Sequence, residues 1–522
     1  MCTHPKVESE DIDICLRRWA KRDPEKLVLA DSHQRLTWQT FDRRLNQIAN
    51  ALIEEGLKPN DRIAILGRNS VEYALLFLGG LRAGLCMTPL STLASPETLR
   101  DMINDSGAKL LFVSKSSTEM IDPVVGQLNT LLPKGLRNLD YECADRKSLF
   151  SFFSNEHTNE VSMPISLSQD FNLIYSSGTT GTPKGILHDR RYRAREREGL
   201  AAWGVSDTSR TLVSTPLYSN TTLFLFVATL ANGGAAFLME KFNTKQFLEL
   251  SESERITHAV LVPVQYERLL NDPALDQTNL SNYLLKLSTS APLHQQTKEQ
   301  ILKRWPAGGL LEIYGMTEGG VACFLKAQER PDKLDTVGQP GEGCDLKIIN
   351  NKGEELPQGE IGEVIGHSEN MMQGYVNCDE ATKEASWFDR DGRRYHKSGD
   401  IGWLDDEGFL HLLDRKKDMI ISGGFNVYAI DLEKALLNHL AVVDAAVVAA
   451  PSKQWGETPV AFIVLKTGTK LSAESILEQT NATLGKAQRI SAIYVLDRLP
   501  RSPIGKILKR EIRDQYLPQI NT

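Results

Sequence analysis

The clearest chemical signal in this sequence is a loop of small residues that contains a lysine. Residues 173–187 have the sequence Leu-Ile-Tyr-Ser-Ser-Gly-Thr-Thr-Gly-Thr-Pro-Lys-Gly-Ile-Leu, with an apolar run on each side of the small residues. Glycine permits positive φ and close backbone approach to a ligand, and successive N–H groups form anion-binding nests. With its hydroxyl groups and one ammonium, the loop is equipped for a polyphosphate. The candidate phosphate-binding residues are Ser176, Ser177, Thr179, Thr180, Gly181 and Lys184.

This loop is not a Walker A loop, because there Gly-Lys is followed by Ser or Thr, whereas Lys184 stands between Pro183 and Gly185. Considered alone, a Gly/Thr-rich stretch is most often a flexible surface loop. Here ten consecutive residues match the signature loop of the adenylate-forming superfamily, which includes acyl-CoA synthetases, adenylation domains and luciferases. The segment therefore resembles this superfamily, with fatty-acid and aryl-acid CoA ligases as the closest branch.

Further motifs of the superfamily follow in the expected order. Tyr314-Gly315-Met316-Thr317-Glu318 is similar to the motif whose Tyr stacks on adenine, whose Thr bonds the α-phosphate and whose Glu holds Mg²⁺. The resemblance also places Ser290-Ala291-Pro292 on the other side of the adenine. It also implies that the carboxylate of Asp400, in Ser398-Gly399-Asp400, accepts hydrogen bonds from both ribose hydroxyls. Each motif alone is more often a turn or a solvated carboxylate, and it is their joint order that favours the superfamily.

The C-terminal part resembles the mobile domain of the superfamily. Residues 414–428 are similar to its hinge motif, which implies that Arg415 contacts the ribose and that the domain rotates about Lys417. Gly423 and Gly424 fall where the backbone lines the tunnel for a thiol. Lys506, after Pro500 and Gly505, matches the lysine of the adenylation step, and Thr317 and Glu318 complete the candidate catalytic residues. Taken singly, the hinge segment is also typical of a solvated charge run followed by a β-turn, and Lys506 is also typical of a surface lysine.

The resemblance implies an acyl pocket bordered by Tyr218, Ser219, Thr289 and Val321. Many relatives carry His in place of Ser219 and Gly in place of Thr289. No gating role is therefore assigned to Ser219, and the β-branched Thr289 is expected to narrow the pocket. No Arg or Lys stands in these segments to pair with a second carboxylate. We therefore expect a fatty, aryl or alicyclic monocarboxylic acid.

The expected reaction is ATP-dependent. The acid and ATP give an acyl-adenylate and pyrophosphate, and the acyl group then passes to coenzyme A with release of AMP. ATP, Mg²⁺ and CoA are the expected cofactors. The alternatives are an enzyme that loads a carrier-protein thiol, a luciferase-like oxygenase and a non-catalytic nucleotide-binding regulator. Five arginines between 190 and 197 either meet the CoA phosphates or lie on a solvated helix; the second interpretation is favoured.

Apolar periodicity predicts the elements that position these residues. The series 38, 41, 45, 48 and 52 predicts a helix with Thr37 as its cap, and 71–85 predicts another. Short apolar runs at 63–66, 110–113, 211–214, 235–239, 259–262 and 285–288 predict strands between helices, hence an α/β fold with helix-covered parallel sheets. After about residue 337 the pattern becomes β-rich. We predict an N-terminal domain at 1–414, a hinge at 415–418 and a small α+β domain at 419–522.

Composition excludes several classes of protein. A formal net charge of -7 over 522 residues argues against a nucleic-acid partner. The seven cysteines form no CxxC pair, which argues against a metal cluster or a disulfide framework. We expect no secretory signal, peroxisomal address or carrier domain, and no apolar run is long enough to span a membrane. A cytoplasmic location is expected, and the oligomeric state stays open, with a homodimer as one option.

Overall fold

The computed structural model describes residues 9–142, 144–153, 158–176, 183–422, 425–452, 454–469, 471–485, 488–501 and 507–520. Fourteen helices and twenty-five strands lie within these residues, and both are numbered here in chain order. The helices are α1 (Ile12–Arg22), α2 (Trp38–Glu54), α3 (Val71–Arg82), α4 (Pro96–Ser106), α5 (Thr118–Ile121), α6 (Arg190–Ala202), α7 (Asn220–Ala231), α8 (Thr244–Ser253), α9 (Pro263–Leu270), α10 (Gln295–Arg304), α11 (Asp379–Glu384), α12 (Ala429–Leu437), α13 (Ala473–Thr483) and α14 (Lys509–Ile520).

The strands are β1 (Leu27–Ala30), β2 (Arg35–Thr37), β3 (Arg62–Leu66), β4 (Cys86–Leu90), β5 (Leu110–Val113), β6 (Leu136–Asn138), β7 (Asp170–Tyr175), β8 (Gly185–Asp189), β9 (Arg210–Val213), β10 (Ala235–Leu238), β11 (His258–Leu261), β12 (Leu285–Ser288), β13 (Gly309–Gly315), β14 (Ala322–Lys326), β15 (Gln339–Pro340), β16 (Asp345–Ile349), β17 (Gly362–His367), β18 (Ser386–Phe388), β19 (Arg394–Leu404), β20 (Leu410–Arg415), β21 (Ile420–Ser422), β22 (Phe425–Val427), β23 (Val442–Ser452), β24 (Gly456–Leu465) and β25 (Ala492–Val495).

The chain divides into two compact units. Unit 1 comprises 1–320, 325–334 and 368–386, and unit 2 comprises 321–324, 335–367 and 387–522. The domain boundaries at 414 and 419 stay a prediction. No helix among the described residues combines the length and apolarity needed to cross a membrane.

Unit 1 contains two largely parallel sheets. One has the order β6-β5-β3-β4-β7-β8, in which only β7 and β8 pair antiparallel. Within unit 1, the other sheet includes the strands β13-β12-β11-β9-β10-β1-β2 in that order, and among these strands only β1 and β2 pair antiparallel. Helices α1 to α11 belong to this unit. In a parallel sheet the carboxyl ends of neighbouring strands meet at one edge, so the turns after β9, β12 and β13 lie on the same side.

The packing explains why periodicity identified these elements. The five predicted core positions of α2 are all fully buried, and the Thr37 side chain accepts a hydrogen bond from the Thr40 N–H, so this helix and its cap are confirmed. The predicted helix at 71–85 ends earlier, at Arg82. Gly84 then adopts φ +78°, and the wholly buried strand β4 follows.

Unit 2 is rich in antiparallel strands. One sheet runs β16-β17-β19-β18, with β20 also paired to β19, and another runs β22-β21-β24-β23, with β25 parallel to β24. Helices α12 and α13 contribute Leu432, Leu436 and Ile476 to an apolar core with Val447 and Ile463. With unit 1, this confirms the predicted α/β class with a β-rich part and a smaller α+β part.

Candidate active site

The stem of the predicted phosphate loop is a hairpin. Its strand β7 leads to Ser176, and β8 begins at Gly185, directly after Lys184. The Ser176 N–H donates to the Lys184 carbonyl at 3.0 Å, and the Lys184 N–H lies 3.4 Å from the Ser176 hydroxyl oxygen. A Cβ at Gly185 would lie 2.9 Å from Leu173 Cδ1. The two ends of the loop are therefore fixed beside each other. Ser177, Thr179, Thr180 and Gly181 lie outside the described residues.

A second turn follows β13. Tyr314 and Gly315 end this strand, and Thr317 and Glu318 occupy the turn, both half-buried. Gly319 has φ +72°, and a Cβ there would lie only 2.0 Å from the Asn370 carbonyl oxygen. The turn is thus closed by glycine against residues 368–376, whose backbone also donates from Met372 N to the Glu318 carbonyl at 2.8 Å.

Tyr375 connects these two turns, and the sequence analysis missed it. Its hydroxyl donates to Oε1 of Glu318 at 2.9 Å, and the Lys184 ammonium lies 5.1 Å from the centroid of its ring. The Val376 N–H donates to the Gly185 carbonyl at 2.9 Å, which fixes this segment on β8. Burial and the Glu318 carboxylate raise the Tyr375 pKa, so the hydroxyl keeps its proton and acts as donor. Periodicity could not identify Tyr375, because its role depends on contacts with residues that are distant in the sequence.

The surroundings of Glu318 fit a divalent cation. Its carboxylate is half-buried, accepts one tyrosine hydroxyl and forms no ion pair with any residue the structure describes. Mg²⁺ binds hard oxygen ligands and takes only one or two carboxylates when phosphates and water supply the rest. No group of three or more His, Cys, Asp or Glu side chains suited to a metal occurs in the described part of the chain. Glu318 would therefore share the ion with phosphate and water oxygens.

The turn after β12 contains the predicted adenine wall. Ser290 adopts φ +78°, which is uncommon for a residue other than glycine, and its hydroxyl lies 2.6 Å from the Thr221 hydroxyl in α7. Thr221 stands two residues after Ser219, so this contact brings the adenine-wall turn to the predicted acyl-pocket turn. Thr289 and Tyr218 are half-buried, as are Ser219 and Ala291, and Pro292 is exposed. Burial raises the Tyr218 pKa.

In unit 2, the two predicted ribose-binding residues are neighbours. Asp400 in β19 and Arg415 in β20 are cross-strand partners, and Arg415 Nε lies 2.6 Å from Asp400 Oδ1. The Asp400 N–H donates to the Ser398 hydroxyl oxygen at 3.0 Å. Two groups identified from separate motifs are thus held side by side. Val321, the fourth predicted acyl-pocket residue, is buried in this unit.

The predicted hinge leads from β20 to β21. The Asp414 carboxylate accepts N–H bonds from Arg415 at 2.7 Å and Ala429 at 2.6 Å, and burial raises its pKa. Arg513 in α14 donates to Asp418 at 3.0 Å. Lys417 is exposed between these anchored carboxylates, and its pKa is lowered by desolvation. Gly423, Gly424 and Lys506 lie outside the described residues.

Comparison with families of known proteins decides what this chain is. The model of the AMP-binding enzyme family matches residues 16–376, well over half of the chain, and that of the AMP-binding enzyme C-terminal domain matches 431–506. The chain belongs to the AMP-binding enzyme family. The first match includes both turns and Tyr375, and the second ends at Lys506. The predicted superfamily is confirmed, and so is the prediction that the protein is an enzyme.

Individual relatives cover nearly the whole chain. The feruloyl-CoA synthase of Amycolatopsis sp is 30% identical over 503 residues, which cover 96% of this chain and 98% of that protein. The fatty acid–[acyl-carrier-protein] ligase ScoC of Streptomyces coeruleorubidus is 28% identical and covers 95% of each. Among solved structures, ATP-bound MatB from Rhodopseudomonas palustris has a TM-score of 0.85 at 27% identity, covering 97% of this chain and 99% of its own.

The arginine-rich segment of this AMP-binding enzyme forms the predicted helix, but two of its five arginines are not solvated as expected. Arg190 and Arg193 in α6 are fully buried rather than solvated. Arg190 forms an ion pair with Asp11 at 3.0 Å, and Arg193 donates to Asn172 and to Asn220. Their charges are used inside unit 1, because an unpaired guanidinium would be too costly to bury. Charge density alone could not separate these two from the rest of the cluster.

Proposed function

We propose that this enzyme activates a monocarboxylic acid with ATP and transfers the acyl group to a thiol, with coenzyme A as the acceptor. The observation that carries the proposal is the arrangement around Tyr375. This residue lies between the ammonium of Lys184 and the carboxylate of Glu318, with distances of 5.1 Å to its ring and 2.9 Å to its hydroxyl. A cation for phosphate oxygens and a carboxylate for a divalent ion thus converge from two distant segments.

The first half-reaction is an electrostatic problem. The acid is an anion, and it must attack the α-phosphorus of another anion, so positive charge and donors have to be placed where negative charge develops. We assign this work to the stem residues Ser176 and Lys184, to the Thr317 hydroxyl and to Lys506. Mg²⁺ held by Glu318 would neutralise phosphate charge when bound. Tyr314 and the turn at 290–292 would hold the adenine.

The remaining assignments concern unit 2. Asp400 and Arg415 would hold the ribose hydroxyls, which their 2.6 Å pairing supports because a carboxylate already fixed by an arginine is oriented before substrate arrives. Lys417 would be the point of rotation between the two half-reactions. Gly423 and Gly424 would let the thiol approach the acyl-adenylate carbonyl, which loses AMP as the thioester bond forms.

The residues that border the predicted acyl pocket favour one class of acid. The hydroxyls of Thr221 and Ser290 already bond to each other at 2.6 Å, so they do not require partners from the substrate. No Lys or Arg occurs among residues 218–220, 288–290 and 321–323. Such a border suits an aliphatic, aryl or alicyclic group with one carboxylate. The feruloyl-CoA synthase relative supports an aryl acid, and the fatty acid ligase relative supports an aliphatic one.

A carrier protein is the second candidate acceptor, because the ligase ScoC, named for an acyl carrier protein, is 28% identical along 95% of this chain. One experiment separates the acceptors. Pyrophosphate release is measured over a panel of fatty, aryl and alicyclic acids with ATP and Mg²⁺, without acceptor, with CoA, or with a carrier protein bearing phosphopantetheine. We expect acid-dependent release that CoA accelerates, together with acyl-CoA formation. Acceleration by the carrier protein alone would exclude CoA as acceptor, and no release with any acid would contradict the proposal.

A further inference from the structure

The hairpin that forms the stem of the phosphate loop contains a buried histidine, and each nitrogen of its ring has a hydrogen-bond partner. His188 in β8 is the cross-strand partner of Asn172 in β7, and both side chains are fully buried. The His188 ring stacks on Tyr192 with centroids 4.0 Å apart and an angle of 11°. Its Nδ1 lies 3.1 Å from Asn172 Nδ2, and its Nε2 lies 2.7 Å from the carbonyl oxygen of Thr317.

The position of the proton follows from the donors around Asn172. Arg193 directs Nε at 3.1 Å and Nη2 at 2.8 Å toward Asn172 Oδ1, and a guanidinium can only donate. The amide oxygen therefore faces Arg193, and the amide nitrogen, which donates, faces His188. His188 Nδ1 must then be the acceptor, which leaves the proton on Nε2. Burial and Arg193 lower the His188 pKa to about 3, so the ring stays neutral at working pH.

The protonated Nε2 in turn donates to the carbonyl of Thr317. This is a direct bond between the hairpin of the phosphate loop and the turn of Thr317 and Glu318, two segments 129 residues apart. Arg193 also donates to Asn220 Oδ1 at 2.7 Å, directly after the predicted acyl-pocket residue Ser219. One chain of donors thus joins three of the segments of unit 1 that would surround the reacting groups.

We propose that His188 is a positioning residue: as an Nε2–H donor it fixes the Thr317 carbonyl and so sets the Thr317 hydroxyl and the Glu318 carboxylate relative to the stem of the phosphate loop. This inference rests on the proposed function, since it assigns His188 to the adenylation step. Asn172 and Arg193 act through it by holding the proton on Nε2. The peptide group of Thr317 joins it to Glu318, so a shift of that carbonyl changes the orientation of both side chains.

Two substitutions test this role. In His188→Gln the side-chain amide nitrogen can take the place of Nε2 and still donate to Thr317, whereas in His188→Asn the shorter amide can take only the place of Nδ1. We expect His188→Asn to lower the adenylation rate about 10- to 100-fold, because a buried carbonyl loses its donor. We expect His188→Gln to stay within about threefold of the wild type.

Two further measurements distinguish positioning from general damage. Conversion of a supplied acyl-adenylate to the thioester should stay unchanged in both variants. Calorimetric ATP binding without acid should lose its dependence on Mg²⁺ in His188→Asn only. Equal loss of both half-reactions, equal activity of the two variants, or wild-type Mg²⁺ dependence in His188→Asn would each overturn the proposal.

A spectroscopic measurement keeps the inference testable if His188→Asn fails to fold. In enzyme with ¹⁵N-labelled histidine, the His188 signal, assigned by its loss in His188→Gln, should have the shifts of a neutral Nε2–H ring from pH 5 to pH 8. An Nδ1–H ring or an imidazolium in that range would overturn it. These outcomes do not depend on turnover. If the wild type releases no pyrophosphate with any acid, the proposed function is wrong, whereas the tautomer and ATP-binding measurements still test the role of His188.

Discussion

The hydroxyl of Tyr375 donates to Oε1 of Glu318 at 2.9 Å, although 57 residues separate the two in sequence. The same tyrosine ring lies beneath the ammonium of Lys184. A charged-group hydrogen bond of this kind contributes about 1.5–3 kcal/mol, and it also limits the orientations of the carboxylate. The proposed cation ligand therefore depends on a neighbour that is not part of its own motif.

Tyr375→Phe should raise the Mg²⁺ concentration for half-maximal adenylation about tenfold, because the ring remains but the carboxylate loses its donor. Pyrophosphate release measured against Mg²⁺ at saturating ATP checks this. Tyr395→Phe is the matched control, since the Tyr395 hydroxyl also bonds a carboxylate, that of Asp345 in unit 2. An unchanged Mg²⁺ requirement in Tyr375→Phe would remove Tyr375 from the site.

Gly319→Ala should damage the turn of Thr317 and Glu318. The position has φ +72°, and a Cβ would meet the Asn370 carbonyl oxygen at 2.0 Å, so the backbone must move. A displacement of about 1 Å near reacting groups lowers rates about 100-fold. Gly343→Ala is the control, with φ +75° and open space around the Cβ. It should cost about 1–2 kcal/mol of stability and leave turnover intact. Equal turnover in both variants would contradict the expected role of this close contact.

Lys506→Ala should lower adenylation about 10²- to 10³-fold, the scale of removing one preorganised donor. Thioester formation from supplied acyl-adenylate should persist, because that step displaces AMP and needs no attack on phosphorus. Burst measurements of pyrophosphate and of acyl-CoA separate the two steps. Lys352→Ala, which changes an exposed lysine, controls for loss of charge. If both half-reactions fell equally, the assignment of Lys506 would be wrong.

Stability should decrease as the pH falls from 7 to 5, in part because of His258. Burial lowers the pKa of this fully buried side chain to about 4. An unfolded histidine takes its proton near pH 6.5, so between these values the unfolded chain binds more protons and acid favours unfolding. His258→Gln should reduce the pH dependence of the free energy of unfolding by about 1 kcal/mol per pH unit. Urea titrations at pH 7, 6 and 5 check it, with exposed His33→Gln expected to keep the wild-type slope.

Local patterns predicted much of the fold, since they depend on neighbours in sequence. The helix at 38–54 shows its core face every three or four residues, and strand 285–288 was predicted with its observed bounds. Strand β4, which directly follows the predicted helix at 71–85, was not predicted, because all five of its residues are buried and no alternation marks it. The turn at Gly84 is the only local sign of a break.

The candidate site was predicted residue by residue but not as a set of contacts. Asp400 and Arg415 were each assigned to the ribose, yet their pairing depends on the register of β19 and β20. Tyr375 and His188 were missed because their function lies in bonds to Glu318 and Thr317, which only the fold brings near. Composition likewise could not show that two of five clustered arginines are internal.

The burial of Arg190 and Arg193 matters for anyone who redesigns this enzyme. Library variants that replace either of these two arginines, on the assumption that the stretch faces the coenzyme, should mostly yield misfolded protein. Each guanidinium is paired with a carboxylate that remains when the arginine is replaced: Arg190 pairs with Asp11, and Arg193 pairs with Glu196. Loss of expression in such a library would be a sign of an internal framework, and it would say nothing about which thiol the enzyme prefers.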